Sequence, residues 1–272
     1  MPRPIITFTS DFGLADWFVG VVHGVIYGIC PEARVVDLAH GIPPGNIGRA
    51  AFVLEAAALD FPPGTIHLAV VDPGVGTARR ALAVRSRGQV FVGPDNGILE
   101  WALAAPGAEA RVLTTERYFR PAVSRTFHGR DVFAPVAAHL ACGVAFGKLG
   151  APVADPVRLE RPAPRLEGEA LLGRVAYIDR FGNALTNLVA EALAHAFPGV
   201  PEERLEVEVG TRSIRGISRS YGDEEVGAIV ALMGSSGRLE IAQVGGDASS
   251  WLGLGEDDPV RVRKLPAPPA DA

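Results

Sequence analysis

Cysteine and lysine are nearly missing from this chain. Only Cys30 and Cys142 occur, with no C-x-x-C spacing, so neither a disulfide framework nor a cysteine zinc site is expected. Lys148 and Lys264 are the two lysines; subtracting them from 26 basic residues leaves 24 arginines. That bias reads as the codon usage of a GC-rich genome, and no function is drawn from it. No uncharged apolar run reaches the roughly 18 residues of a membrane span, and MPRPIITFTSDFG lacks the basic-then-apolar order of a leader. A soluble, cytoplasmic protein is expected. No stretch gathers a basic face, and the net charge is -5, which argues against a nucleic-acid partner. The six histidines are scattered without H-E-x-x-H or similar spacing, so no metal site is expected.

What is present is a globular composition, 48% apolar and 21% charged over 272 residues, enough for one large or two modest domains. The first half alternates. Strand-like runs at 5–10, 34–38, 66–71, 81–85 and 89–92 alternate with helical periods at 17–29, 47–61, 97–104 and 130–141. This order predicts an α/β domain whose central, mainly parallel sheet is covered on both faces, with ligands beyond the carboxyl ends of the strands. Residues 150–165 (GAPVADPVRLERPAPR) hold four prolines and no apolar period, the mark of a linker. Beyond it come short strands at 174–178, 204–209, 228–233, 238–244 and 260–263, a smaller, mostly antiparallel β domain. The expected division is 1–158 for the α/β domain, 159–168 for the linker, 169–264 for the β domain and 265–272 for a frayed tail.

Four stretches place polar residues where strands end: TSDFGLADW (9–17), VVDPGVGTARR (70–80), SRTFHGRD (124–131) and YIDRFGNALTN (177–187). Each has a bland reading. Asp11 suits a helix cap near Leu14, DPGVG a simple turn, Arg79 and Arg80 solvated charges, His128 a satisfied core histidine, and Asp179 with Asn183 a turn after a strand. SDFG matches the Asp-Phe-Gly of protein kinases, but no catalytic-loop or Gly-rich-loop motif precedes it. GVVHGVIYG lies inside the first helix and is not a dinucleotide loop.

Taken together, the stretches outweigh their bland readings. SDFGxxD, VVDPGVGxxRR, GPDNG (93–97), TFHGRDxFAP (126–135), IDxFGNxxTN (178–187) and SSGxLEIA (235–242) occur in order along nearly the whole chain. In this the sequence resembles the S-adenosyl-L-methionine hydrolases once called DUF62, relatives of the fluorinating and chlorinating 5′-halo-adenosine synthases. The resemblance implies an N-terminal α/β domain, a C-terminal barrel-like β domain, and a homotrimer with active sites between the N-domain of one subunit and the C-domain of the next. It implies hydrolysis of S-adenosyl-L-methionine to adenosine and L-methionine, with no separate cofactor. Two alternatives remain: a halide-dependent 5′-halo-5′-deoxyadenosine synthase, and a non-catalytic module binding S-adenosylmethionine or adenosine.

The resemblance also assigns residues. Asp72, Arg79 and His128 form the water-handling trio; Arg79 stays protonated and orients, while either Asp72 or His128 is the base. A Tyr stands at the position of Asp72 in the fluorinating relatives, and a carboxylate near the attack line disfavours a halide. Asp11 is expected on the ribose hydroxyls, Asp16 and Asp179 on the methionine ammonium, and Asn183 on the adenine edge with Phe127 and Phe181 as walls. Ser235 and Ser236 fall to the methionine carboxylate, although GSSG departs from the Asn that often precedes this pair.

Overall fold

The computed structural model describes residues 3–266. Chain contacts divide into two units, Met1–Glu160 and Arg161–Ala272.

In the first unit β1 (Ile5–Ser10), α1 (Phe18–Ile29), β2 (Arg34–Ala39), α2 (Ile47–Ala57), β3 (Ile66–Val70), β4 (Ala81–Ser86), β5 (Gln89–Pro94), α3 (Glu100–Leu103), β6 (Glu109–Val112) and α4 (Ala134–Ala141) follow one another. One six-stranded sheet forms in the order β2-β1-β3-β5-β4-β6. The pairs among β2, β1, β3 and β5 are parallel, and β4 runs antiparallel to β5 and β6. Side chains alternate between two packed faces, so β3 is buried throughout and its sequence reads as a continuous apolar run. Ile66, Leu68 and Val70 join Val22 and Ile26 of α1 and Val136 of α4 on one face. Ala69 and the following Val71 join Leu54 of α2 and Ala102 of α3 on the other.

This topology fixes where a ligand can sit. From β1 the chain moves to β2 on one side of it, then crosses to β3 on the other. The crevice beyond the carboxyl ends of β1 and β3 is therefore the switch point of the sheet. Ser10 pairs with Val70, so Asp11 and Asp72 leave neighbouring parallel strands at the same end.

Two helical periods shorten on folding. The 47–61 run stops being α-helical at Ala57 and tightens into a 3₁₀ turn at Ala58–Asp60, and the 97–104 run keeps α-helix only over Glu100–Leu103. The 130–141 run opens with a π-helical turn over Gly129–Phe133 before α4.

The second unit contains β7 (Arg165–Glu167), β8 (Ala170–Ile178), β9 (Ala184–Val189), α5 (Ala190–Ala196), β10 (Leu205–Val209), β11 (Arg212–Arg215), β12 (Ile229–Met233), β13 (Arg238–Gln243), α6 (Ala248–Leu252) and β14 (Pro259–Lys264). Its strands run in the order β11-β10-β14-β8-β9-β13-β12, with β7 beside β8. All these pairings are antiparallel. The long β8 pairs with β14 through residues 170–174 and with β9 through 175–178, with a register shift between Val175 and Tyr177. A strand shared in this way bends a sheet into a barrel. A bridge from Ser218 to Leu232 approaches closure, and Val175, Leu188, Val207, Leu239, Ile241 and Val262 fill the interior. Of the expected tail, Leu265 and Pro266 are described and hydrogen-bond to Arg204; 267–272 lie outside the described residues.

Candidate active site

Asp72 leaves β3 into the turn that carries Arg79. The Asp72 carbonyl accepts from Val75 N–H and the Gly74 carbonyl from Thr77 N–H and its hydroxyl, which folds the chain back on itself. A Cβ on Gly74 would stand 3.2 Å from Arg79 Cγ, so the missing side chain leaves room for the arginine stem. Gly76 has φ +78, and a Cβ there would fall 2.3 Å from the Arg125 carbonyl oxygen. The left-handed turn and the close approach of the 124–128 segment both require glycine.

The guanidinium grips Asp72 with two prongs. Arg79 Nε donates to Asp72 Oδ1 at 2.8 Å and Nη2 donates to Oδ2. Both side chains are withdrawn from water, with exposures of 10% for Arg79 and 6% for Asp72. Nη2 also lies 2.8 Å from His128 Nδ1, Nη1 reaches the Arg80 carbonyl, and the cation rests over Phe133 at 5.1 Å. A guanidinium can only donate. His128 Nδ1 is therefore the acceptor, the imidazole is neutral, and its proton sits on Nε2. Burial first, and the Arg79 charge second, push the His128 pKa below the ordinary imidazole range. Arg80 turns away to Asp95 and Asp155.

A cleft of about 400 Å³ opens over this trio, lined by Asp11, Asp72, Phe127 and His128 together with Phe12, Pro44, Gly45, Val70 and Gly129. Asp11 caps no helix: α1 begins at Phe18, and no side chain caps it. Its Oδ2 instead accepts from Gly45 N–H at 2.8 Å, leaving Oδ1 for a ligand. Asp16 is on the same β1–α1 loop but exposed, and it is not among the residues lining the cleft.

The second unit arranges its own candidates. Asp179 Oδ1 accepts from the backbone of Phe181 and Asn183, and Oδ2 accepts from Asn183 Nδ2 at 3.0 Å. Asp179 thus both closes a turn and orients the Asn183 amide, whose Oδ1 remains as an acceptor. Asn183 is buried, whereas Phe181 projects with 73% exposure. Ser235 is exposed, and Ser236 Oγ is buried without a hydrogen-bond partner. Glu240, in the same motif, is buried and accepts from Tyr221 O–H; burial raises its pKa. A separate cleft of about 460 Å³ in this unit faces Arg165, Arg174 and Arg261, each already paired with a carboxylate. Among the described residues no group of three or more His, Cys, Asp or Glu could hold a metal ion, and no helix is long and apolar enough to cross a membrane.

Comparison with known proteins places this geometry. The family model described as the SAM hydroxide adenosyltransferase N-terminal domain matches residues 6–150, and that of the C-terminal domain matches 173–261. The chain belongs to the SAM hydroxide adenosyltransferase family. Relatives named (R)-S-adenosyl-L-methionine hydrolase include one from Thermus thermophilus, 44% identical over 96% of this chain and 99% of its own length. Another, from Salinispora tropica, is 42% identical over 96% of this chain and 98% of its own. An uncharacterized conserved protein from Thermotoga maritima has a solved structure that superposes with a TM-score of 0.90 at 37% identity, covering 95% of this chain and all of that one.

The segment HGIPPG (40–45) also belongs to the site, and no motif in the sequence marked it. Pro44 and Gly45 line the cleft, and Gly45 holds Asp11. A polar residue followed by Gly, Pro and Gly after a strand was the available signal, and it reads equally well as an ordinary loop.

Proposed function

We propose that the protein hydrolyses S-adenosyl-L-methionine to adenosine and L-methionine by attack of water on ribose C5′. The observation that carries this reading is the continuous Asp72–Arg79–His128 hydrogen-bonded trio at the edge of a cleft that also holds Asp11. The sulfonium is already a good leaving group, so the site's task is to place and deprotonate one water in line with the C5′–S bond.

Asp72 is the proton acceptor in this arrangement. Each carboxylate oxygen accepts from Arg79 and keeps further acceptor capacity, whereas His128 uses Nδ1 toward Arg79 and has only a donor left at Nε2. His128 Nε2–H therefore orients the water through its oxygen, and Arg79 fixes the direction of the Asp72 carboxylate with its two donors. The C5′–O bond forms as the C5′–S bond breaks, the electron pair passes to sulfur to give the thioether of methionine, and the water proton goes to Asp72. A halide in place of this water would meet the Asp72 carboxylate at close range, an unfavourable approach in a dry site.

Asp11 holds the ribose diol through Oδ1, and Phe127 forms an apolar wall. In the second unit Asn183 offers Oδ1 to the adenine amino group, and Phe181 is a stacking surface. Asp179 with Asp16 neutralises the ammonium, and Ser235 with Ser236 takes the carboxylate. These two sets meet across the subunit interfaces of a homotrimer; the exposed Leu14 and Trp17 beside Asp16, and the exposed Phe181, supply apolar surface for such interfaces. The (R) configuration at sulfur, named for the relatives, is the preferred epimer here as well.

The test is incubation of the purified protein with each sulfonium epimer in ¹⁸O water, with and without chloride, followed by mass spectrometry. Label in adenosine with unlabelled methionine is expected. A 5′-chloro product, or tight binding with no turnover, would overturn the reading.

A further inference from the structure

We propose that His40 is a positioning residue for Asp11, acting through Ser10 and the turn that follows it; the proposal rests on the reading that Asp11 holds the ribose diol. His40 directly follows β2 as the first residue of HGIPPG and is 5% exposed. Its ring meets Phe8 edge-on at 4.7 Å, and Nδ1 lies 2.7 Å from Ser10 Oγ. Ser10 Oγ also accepts from Phe12 N–H at 3.3 Å. His40 Nε2 faces the Asp37 Oδ1 carboxylate oxygen at 2.9 Å, so the ring proton sits on Nε2, Nδ1 is the acceptor, and the Ser10 hydroxyl donates to it. That approach is off the N–H line, and Nε2 makes no aligned hydrogen bond; the contact is electrostatic. Asp37 is itself held by His23 Nε2 at 2.9 Å.

The same segment grips the turn from the backbone side. Gly13 N–H donates to the His40 carbonyl at 2.8 Å, with Gly13 at φ +66, and Gly45 N–H reaches the Asp11 carboxylate. Asp11 is thus bracketed by Ser10 before it and Gly13 after it, both fastened to one residue, while its carboxylate is fastened five residues further on. Ser10, His40 and Asp37 are the residue types of an acyl-transfer triad, but Ser10 is fully buried and cannot meet a substrate. Their effect passes to the ligand through the aim of Asp11. A ribose diol asks two oxygens of one carboxylate for fixed directions, and a turn free to rock by an ångström does not supply them.

The experiment measures affinity for adenosine and for 2′,3′-dideoxyadenosine in the full-length protein, alongside kcat and KM. The wild type prefers adenosine; D11N abolishes the preference. His40→Ala and Ser10→Ala are each expected to reduce the preference by about tenfold, the loss of one buried hydrogen bond, with the larger kinetic effect in KM. His40→Asn puts a carbonyl oxygen where Nδ1 stands and restores most of the preference, which a merely structural role does not predict. If H40A does not fold, S10A and H40N carry the test. Wild-type preference retained in S10A and H40A, with D11N defective, overturns the role of His40 alone. A wild type indifferent to the hydroxyls overturns the diol reading and this proposal with it.

Discussion

Removing the Arg79 guanidinium is the perturbation whose size the structure sets most directly. In Arg79→Met the flexible side chain still packs on Phe133, but Asp72, 6% exposed, loses the bidentate partner that holds it and stands as an uncompensated carboxylate. Breaking a buried pair from one side costs about 3–5 kcal/mol, and this loss should appear in urea denaturation at pH 8. Adding Asp72→Asn removes that charge, so the double variant should regain most of the stability, a coupling of about 2–3 kcal/mol. Turnover should not follow stability: it should fall at least roughly 10²-fold in R79M and stay low in the double variant, because neither protein can place and deprotonate water. A loss in R79M below about 1 kcal/mol would refute the reasoning that the pair is buried and mutually dependent. Recovery of turnover in the double variant would refute the role of Asp72.

Three further outcomes follow from individual groups. Because burial and Arg79 keep His128 neutral, kcat/KM should hold through neutrality and decline only below the ordinary imidazole pKa of about 6.5; an acid limb at or above that value contradicts the neutral-imidazole arrangement. His67, wholly buried and stacked on Phe91, has its pKa pushed down to about 4 by burial. The unfolded chain then binds a proton between about pH 6.5 and 4 that the native state refuses, so stability present above this window falls by about 1.4 kcal/mol per unit as pH drops through it. His67→Gln should flatten that slope in urea titrations, and an unchanged slope assigns it elsewhere. Gly76→Ala meets the Arg125 carbonyl at 2.3 Å and a left-handed backbone, so it should lower stability by about 2 kcal/mol or more and misplace Arg79. A wild-type melting curve with full activity would show that the turn can relax.

Much of the first unit was legible because its strands are buried on both faces. Ile66–Val70 could hardly be anything but an inner strand, and from it the placement of Asp72 at a ligand-binding end followed. The edges were harder. Glu109–Val112 carries two charges among four residues and has little apolar pattern, and Arg212–Arg215 buries only Ile214; neither announces a strand before a neighbour offers its hydrogen bonds. Arg79 and His128 are 49 residues apart, and no periodicity relates them. Motif resemblance brought them together, and only the hydrogen-bond geometry fixed which imidazole nitrogen carries the proton. His40 was hidden for a different reason: it acts through a buried serine, and a histidine after a strand gives no sign of what it touches.

The π-helical turn at Gly129–Phe133 carries one residue more than an α-helical path would need. One residue corresponds to about 100° of rotation about the axis, so deleting a single position there would leave the packing of α4 on α1 in place while swinging His128 off its guanidinium. The extra residue sets the aim of the imidazole without altering the scaffold beneath it. Chemistry and architecture in this unit can therefore diverge separately, one residue at a time.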